Sequence, residues 1–241
     1  MDQLLVALDV ESAARAIALA DALRGVAGGF KIGSRLFTSE GPSIVRGLVE
    51  KGDRVFLDLK FHDIPNTVSQ AVAAATSLGV WMVNVHASGG TKMMQAAGDA
   101  ARETAARSGA TVPIVIAVTV LTSMAAEALA EAAPGARSVR DEVVRLAELT
   151  RAAGLDGVVA SPQETSVIRE RCGVDFAIVT PGIRGGRAGA AGSDDQERTM
   201  GPREAIAAGA SYIVVGRPII AAPDPREAAR RIAREMIEGR Q

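Results

Sequence analysis

Two carboxylates and an ammonium stand close together in the stretch Asp58-Leu59-Lys60-Phe61-His62-Asp63-Ile64-Pro65-Asn66-Thr67. The preceding Arg54-Val55-Phe56-Leu57 reads as a buried parallel strand, and its period of two sends Asp58 and Lys60 to the same face. Opposite charges on the inner face of a buried strand cost several kcal/mol to desolvate, so stability alone seldom retains them. Asp58, Lys60 and Asp63 are therefore the candidate reaction centre.

Other chemistries lack their residues. His62 and His86 are the only histidines, and neither has a second His, Cys or carboxylate at a zinc spacing, so no metal site is expected. His62 reads as a structural hydrogen-bonding residue. No P-loop occurs and no Ser–His–Asp arrangement is evident, which leaves a site that must work with lysine and aspartate. The single cysteine, Cys172, cannot form an intramolecular disulfide and reads as a small packing residue near a helix end.

Something must position these groups, and the hydrophobic pattern says what. Eight short apolar runs of strand character lie at 4–9, 29–33, 55–60, 81–86, 113–119, 157–160, 176–180 and 212–216. Helical patterns rich in Ala, Leu, Arg and Glu alternate with them at 12–23, 41–50, 67–78, 92–107, 138–153, 162–171, 202–208 and 225–238. Ser12 is a plausible N-cap, and Pro42, Pro162, Pro202 and Pro225 fall near first turns. Regular alternation implies parallel strands with crossover helices, and eight such units match a single-domain (β/α)8 TIM barrel over 1–241. A doubly wound open sheet is the alternative, but Asp9-Val10-Glu11-Ser12 replaces the Gly-rich turn expected after its first strand.

In such a barrel the working face lies at the carboxyl ends of the strands, and polar residues gather there. Asp9 ends the first run and Lys31 lies in the second. Asp58 and Lys60 end the third, Asn84 and His86 the fourth, and Thr119, Thr122 and Ser123 follow the fifth. After the seventh and eighth runs come Thr180-Pro181-Gly182-Ile183-Arg184 and Val215-Gly216-Arg217-Pro218. Glycine permits close backbone approach and arginine offers a bidentate fork, so these loops predict a phosphorylated ligand. The Gly/Ala-rich segment 184–193 shows no hydrophobic period and reads as a mobile loop, rooted at Arg184, that closes over an anion.

Composition narrows the partners. With 27 basic and 28 acidic side chains interspersed, neither a nucleic-acid stripe nor an acidic tail is present. Aromatic residues at 3% are too few for a base-stacking surface, so the expected partner is small. No leader pattern and no apolar stretch of membrane-spanning length is read, which with the lone cysteine predicts a soluble cytoplasmic protein.

The stretch 58–67, DLKFHDIPNT, is similar to the signature of the orotidine 5′-phosphate decarboxylase family, an Asp-x-Lys-x-x-Asp core continued by Ile-Pro-x-Thr. Four further segments agree in order: LVALD at 5–9, NVH at 84–86 after an apolar strand, TPGIR at 180–184 and VVGR at 214–217. The resemblance covers essentially the whole chain. It implies a homodimeric barrel that converts orotidine 5′-monophosphate to UMP and CO2, the last step of UMP synthesis, without a cofactor. Lys31, Asp58 and Lys60 would come from one subunit, and Asp63, Ile64 and Thr67 would reach the partner's site. Asp9 and Lys31, with Asp63 and Thr67 of the other chain, would contact ribose, and Thr122 and Ser123 would face the pyrimidine. Pro181, Arg184, Gln196, Gly216 and Arg217 would belong to the substrate site on its phosphate side, Gln196 being placed only by the local pattern Asp195-Gln196-Glu197-Arg198. Lys60 would protonate C6, with Asp58 near the departing carboxylate.

Two rival readings accompany this one. A Mg2+-dependent sugar-phosphate decarboxylase or synthase of the same barrel superfamily also carries Asp-x-Lys-x-x-Asp, but the Ile64-Pro65-Asn66-Thr67 continuation argues against it. A non-catalytic phosphate-ligand binding protein on a retained barrel is the other, and the intact Asp58, Lys60 and Asp63 set argues against that.

Overall fold

The computed structural model describes residues 2–136, 138–183 and 200–238. Among them, eight parallel strands pair in chain order and close into a barrel: β1 (Leu4–Ala7), β2 (Gly29–Gly33), β3 (Val55–Phe61), β4 (Met82–His86), β5 (Ile114–Val118), β6 (Gly157–Val159), β7 (Ala177–Thr180) and β8 (Tyr212–Val215). Each lies where the apolar runs predict it. The barrel shuts through the register Leu5↔Val214 between the first and last strands.

Helices wrap the outside: α1 (Ala13–Leu23), α2 (Ser34–Glu40), α3 (Ser43–Val49), α4 (Pro65–Ser77), α5 (Gly90–Ser108), α6 (Ala126–Ala132), α7 (Val139–Ala152), α8 (Thr165–Cys172), α9 (Pro202–Ala207), α10 (Arg217–Ile220) and α11 (Pro225–Glu238). Their starts follow local chemistry. The Ser12 hydroxyl accepts from the Arg15 N–H at 3.4 Å, and Pro202 opens α9 where a missing N–H costs nothing. Short helices α2, α6 and α10 were not expected from the sequence, because none is long enough to show a helical period.

Period two in the strands separates two cores. Leu4, Val6, Phe30, Ile32, Val55, Leu57, Val83 and Val85 face the helices, while Leu5, Phe56, Met82, Ile116, Val179 and Val214 fill the barrel. The amino end of the barrel is plugged by Trp81 and Tyr212, whose rings meet edge-on at 5.1 Å with the Arg54 guanidinium 5.5 Å above the Trp81 ring. One step up the inner face the chemistry changes. Phe56 gives way to Asp58 and Met82 to Asn84, while Ala7 stands opposite Lys31.

Cys172 ends α8 buried, where desolvation pushes its thiol pKa up, in keeping with a packing role. Among the described residues, no helix is long and apolar enough to cross a membrane.

Candidate active site

The inner residues at the carboxyl end of the barrel form a row of alternating charge. Lys31 Nζ lies 3.0 Å from Asp9 Oδ1 and 3.4 Å from Asp58 Oδ2, and Lys60 Nζ donates to Asp58 Oδ1 at 2.6 Å. Depth varies along it: the side chains of Lys31 and Asp58 are 10% and 13% exposed, that of Lys60 34% and that of Asp9 51%. Buried Lys31 and half-buried Asp58 thus sit beneath two charges that face the mouth. Each inner charge has an opposite neighbour, which is what lets the row persist where an isolated ion would be driven neutral.

Gly33, at the end of β2, makes room for it. A Cβ there would stand 2.9 Å from Lys31 Nζ and 3.3 Å from Asp9 Oδ1, so a larger residue would displace the ammonium from its carboxylate. The sequence offers no pattern that flags this glycine, since its role depends on where a side chain two positions earlier reaches.

The predicted pairing of Asp58 with Lys60 is present, but simple alternation does not produce it. Lys60 has φ of 54°, the one non-glycine residue in the left-handed region among the described residues. Such a conformation costs a lysine on the order of 1–2 kcal/mol, so its surroundings must hold it there. Register explains how. Leu57 pairs with Val83 and the next pairing is Phe61 with Val85, so four steps along β3 match two along β4. The extra residues form a bulge that turns Lys60 back over Asp58.

Asn84 fills the space this creates. Fully buried, it accepts from the Lys60 backbone N–H at 2.8 Å through Oδ1 and donates to Asp58 Oδ1 at 2.7 Å through Nδ2. An N–H can only donate and a carboxylate can only accept, so the amide has one workable orientation. Asn84 was expected only as one polar strand-end residue among several. Its contact spans two strands and was not legible from spacing.

Next to this array His86 is half-buried, its ring centroid 5.4 Å from that of His62. Burial, then the neighbouring His62 and Lys60, lower the His86 pKa below 6.5, against a smaller opposing effect of Asp58. His62, expected to hold a structural hydrogen bond, instead lies exposed with its ring tilted toward His86 and makes no side-chain hydrogen bond among the described residues.

Other predicted residues lie just beyond the carboxyl ends of the later strands. Thr122 and Ser123 occupy the turn between β5 and α6, half-buried and exposed respectively. Gly216 follows β8, and a Cβ there would be 3.9 Å from Asp9 Oδ2, so the last strand ends beside the first carboxylate. Arg217 begins α10, and Pro181 precedes Gly182, whose φ of 78° is the conformation glycine adopts freely. Arg184, Gln196 and the closing loop near 184–196 lie outside the described residues.

Asp63, Ile64 and Thr67 do not join the row within this chain. All three are exposed at the start of α4, with Ile64 at 65%, and the Asp63 carboxylate accepts from the Ile64 N–H at 2.6 Å. Among the described residues Asp63 forms no ion pair.

Comparison with known proteins adds an independent line. The model of the Orotidine 5′-phosphate decarboxylase / HUMPS family matches residues 2–232. A protein of Moorella thermoacetica named orotidine 5′-phosphate decarboxylase is 55% identical over 98% of this chain and 92% of its own length. One of the same name from Syntrophotalea carbinolica is 53% identical over 97% of this chain and 94% of its own. Among solved structures, orotidine 5′-phosphate decarboxylase from Lactobacillus acidophilus superposes with a TM-score of 0.83 at 35% identity, covering 97% of this chain and 98% of that one.

Proposed function

Since the chain belongs to the orotidine 5′-phosphate decarboxylase / HUMPS family, we infer that its reaction is that of the relatives it matches over nearly its full length. It converts orotidine 5′-monophosphate to UMP and CO2, as a carboxy-lyase of pyrimidine biosynthesis. The observation that carries the residue assignment is the Lys60 ammonium, held 2.6 Å from Asp58 at the open end of the charged row.

Breaking the bond between C6 and the carboxylate leaves its electron pair on C6, in the ring plane, where the pyrimidine cannot delocalise it. The barrier must fall electrostatically, by an amount near the upper end of enzymatic acceleration, on the order of 20 kcal/mol. Lys60 supplies a positive charge beside the developing carbanion, then transfers one proton to C6 and regains one from water. Asp58 faces the departing carboxylate. Two unit charges about 4 Å apart at an effective dielectric near 20 repel by roughly 4 kcal/mol, so this stress is the smaller contribution. Lys31, salt-bridged to both Asp9 and Asp58, offsets the carboxylates while Asp9 and Lys31 take the ribose. Thr122 and Ser123 face the pyrimidine. The phosphate is assigned to Gly216, Arg217 and the segment from Pro181, with Arg184 and Gln196, as the point remote from C6 whose binding energy assembles the array.

A homodimer completes this reading. Ile64 is a large apolar side chain left open at the start of α4, and Asp63 beside it has no counter-ion among the described residues of its own chain, so both suit a site shared with a second copy. Asp63, Ile64 and Thr67 are accordingly assigned to the partner's substrate. A cytoplasmic location is proposed with it, supported by the single cysteine and its buried thiol.

Lys60→Ala tests the assignment. Turnover should fall by at least 10^4-fold, about 5.5 kcal/mol of transition-state stabilisation, while UMP still binds. Turnover near that of the unchanged enzyme would remove Lys60 from the role of proton donor.

A further inference from the structure

Asn84 is fully buried on the inner face of β4, below the mouth, and both ends of its amide are engaged by the reaction centre. Oδ1 takes the N–H of Lys60, the residue with left-handed backbone, and Nδ2 reaches the Asp58 oxygen that Lys60 Nζ also holds. One side chain therefore fixes both the backbone that carries the lysine and the carboxylate it pairs with. We infer that Asn84 is a positioning residue for decarboxylation, setting the Lys60 ammonium against C6 without itself touching substrate. This inference rests on the assignment of Lys60 as proton donor.

The geometry explains why asparagine stands here. Aspartate would keep an acceptor for the Lys60 N–H but turn a second carboxylate oxygen toward Asp58, where like charges repel. Leucine, of similar size, would leave the Lys60 N–H unsatisfied in a buried place and free its backbone to relax out of the left-handed region. Serine is too short to reach both partners. In each case Lys60 remains present but is no longer aimed, and misplacement by about 1 Å can cost on the order of 10^2 in rate.

Substrate binding should separate from chemistry. Among the described residues, the groups assigned to ribose and phosphate do not hydrogen-bond Asn84, whereas Lys60 does, so kcat should fall and KM should not. Asn84→Leu and Asn84→Asp would be assayed for turnover of orotidine 5′-monophosphate, with rates expressed per UMP-binding site titrated by calorimetry, so that any unfolded fraction drops out. The second readout is exchange of the C6 hydrogen of UMP for deuterium in D2O, which runs the Lys60 proton transfer in both directions and involves no CO2. Expected for both variants is a 10- to 100-fold loss of kcat per site, KM within threefold, and an exchange rate reduced by a similar factor. If Leu at this position prevents folding, Asn84→Asp, which keeps size and polarity, decides alone. Either folded variant turning over within twofold of the unchanged enzyme, or losing KM and kcat together with exchange intact, overturns the inference. Failure of the unchanged enzyme to decarboxylate would instead refute the proposed function.

Discussion

At the level of single residues, the site is a balance of charge and geometry concentrated on Lys60. Its ammonium is paired with Asp58 but still a third exposed, so it can meet a ligand. His86 shows what the same crowding does to a group without a salt-bridge partner among the described residues. Desolvation first, then His62 and Lys60, lower its pKa, so the unfolded chain binds a proton more readily than the native one. Stability from neutral His86 is present above about pH 6.5 and is lost as the pH falls through the lowered native value. Urea titrations at pH 7 and pH 5 should therefore show a smaller acid-induced loss for His86→Gln than for the unchanged protein. An equal loss in both would mean that His86 protonates as freely in the native state as in the unfolded chain.

Among the elements, β3 and β4 do most to build the site, and they also mark what could be read from sequence. The strand runs, their order and the position of Asp58, Lys60 and Lys31 at one mouth were legible, because period two and strand–helix alternation are local signals. The bulge was not. Nothing in Asp-Leu-Lys-Phe announces a left-handed lysine, and only the register Leu57↔Val83 and Phe61↔Val85 reveals it. Gly33 and the contacts of Asn84 were missed for the same reason, since each acts on a residue brought near by pairing across strands or by a side chain's reach. Directly beneath Asp58 on the inner face lies Phe56, 1% exposed and packed in the barrel cluster. Phe56→Ala should cost about 3–5 kcal/mol of stability and let the floor under Asp58 settle, lowering kcat more than simple loss of folded protein would. Denaturant midpoints and activity per folded molecule would measure both, and a cost below about 1 kcal/mol would place Phe56 outside the load on the core.

For the molecule as a whole, one chain presents a finished charged row and an unfinished rim. Asp63, Ile64 and Thr67 face outward, and the homodimer proposed above assigns them to a second copy. Mixing Lys60→Ala with Asp63→Ala protein should restore activity, because a mixed dimer holds one site carrying both defects and one carrying neither. Absence of activity in demonstrated mixed dimers would put all the charged groups in a single chain. The family model matching residues 2–232 and the relatives named orotidine 5′-phosphate decarboxylase support the decarboxylation proposed for the charged row. The most direct measurement is the fall in absorbance as orotidine 5′-monophosphate becomes UMP, followed with purified protein before and after exhaustive treatment with EDTA. The expected result is turnover with release of one CO2 per UMP and a rate unchanged by the chelator; no turnover, or turnover abolished by EDTA and restored by Mg2+, would contradict it.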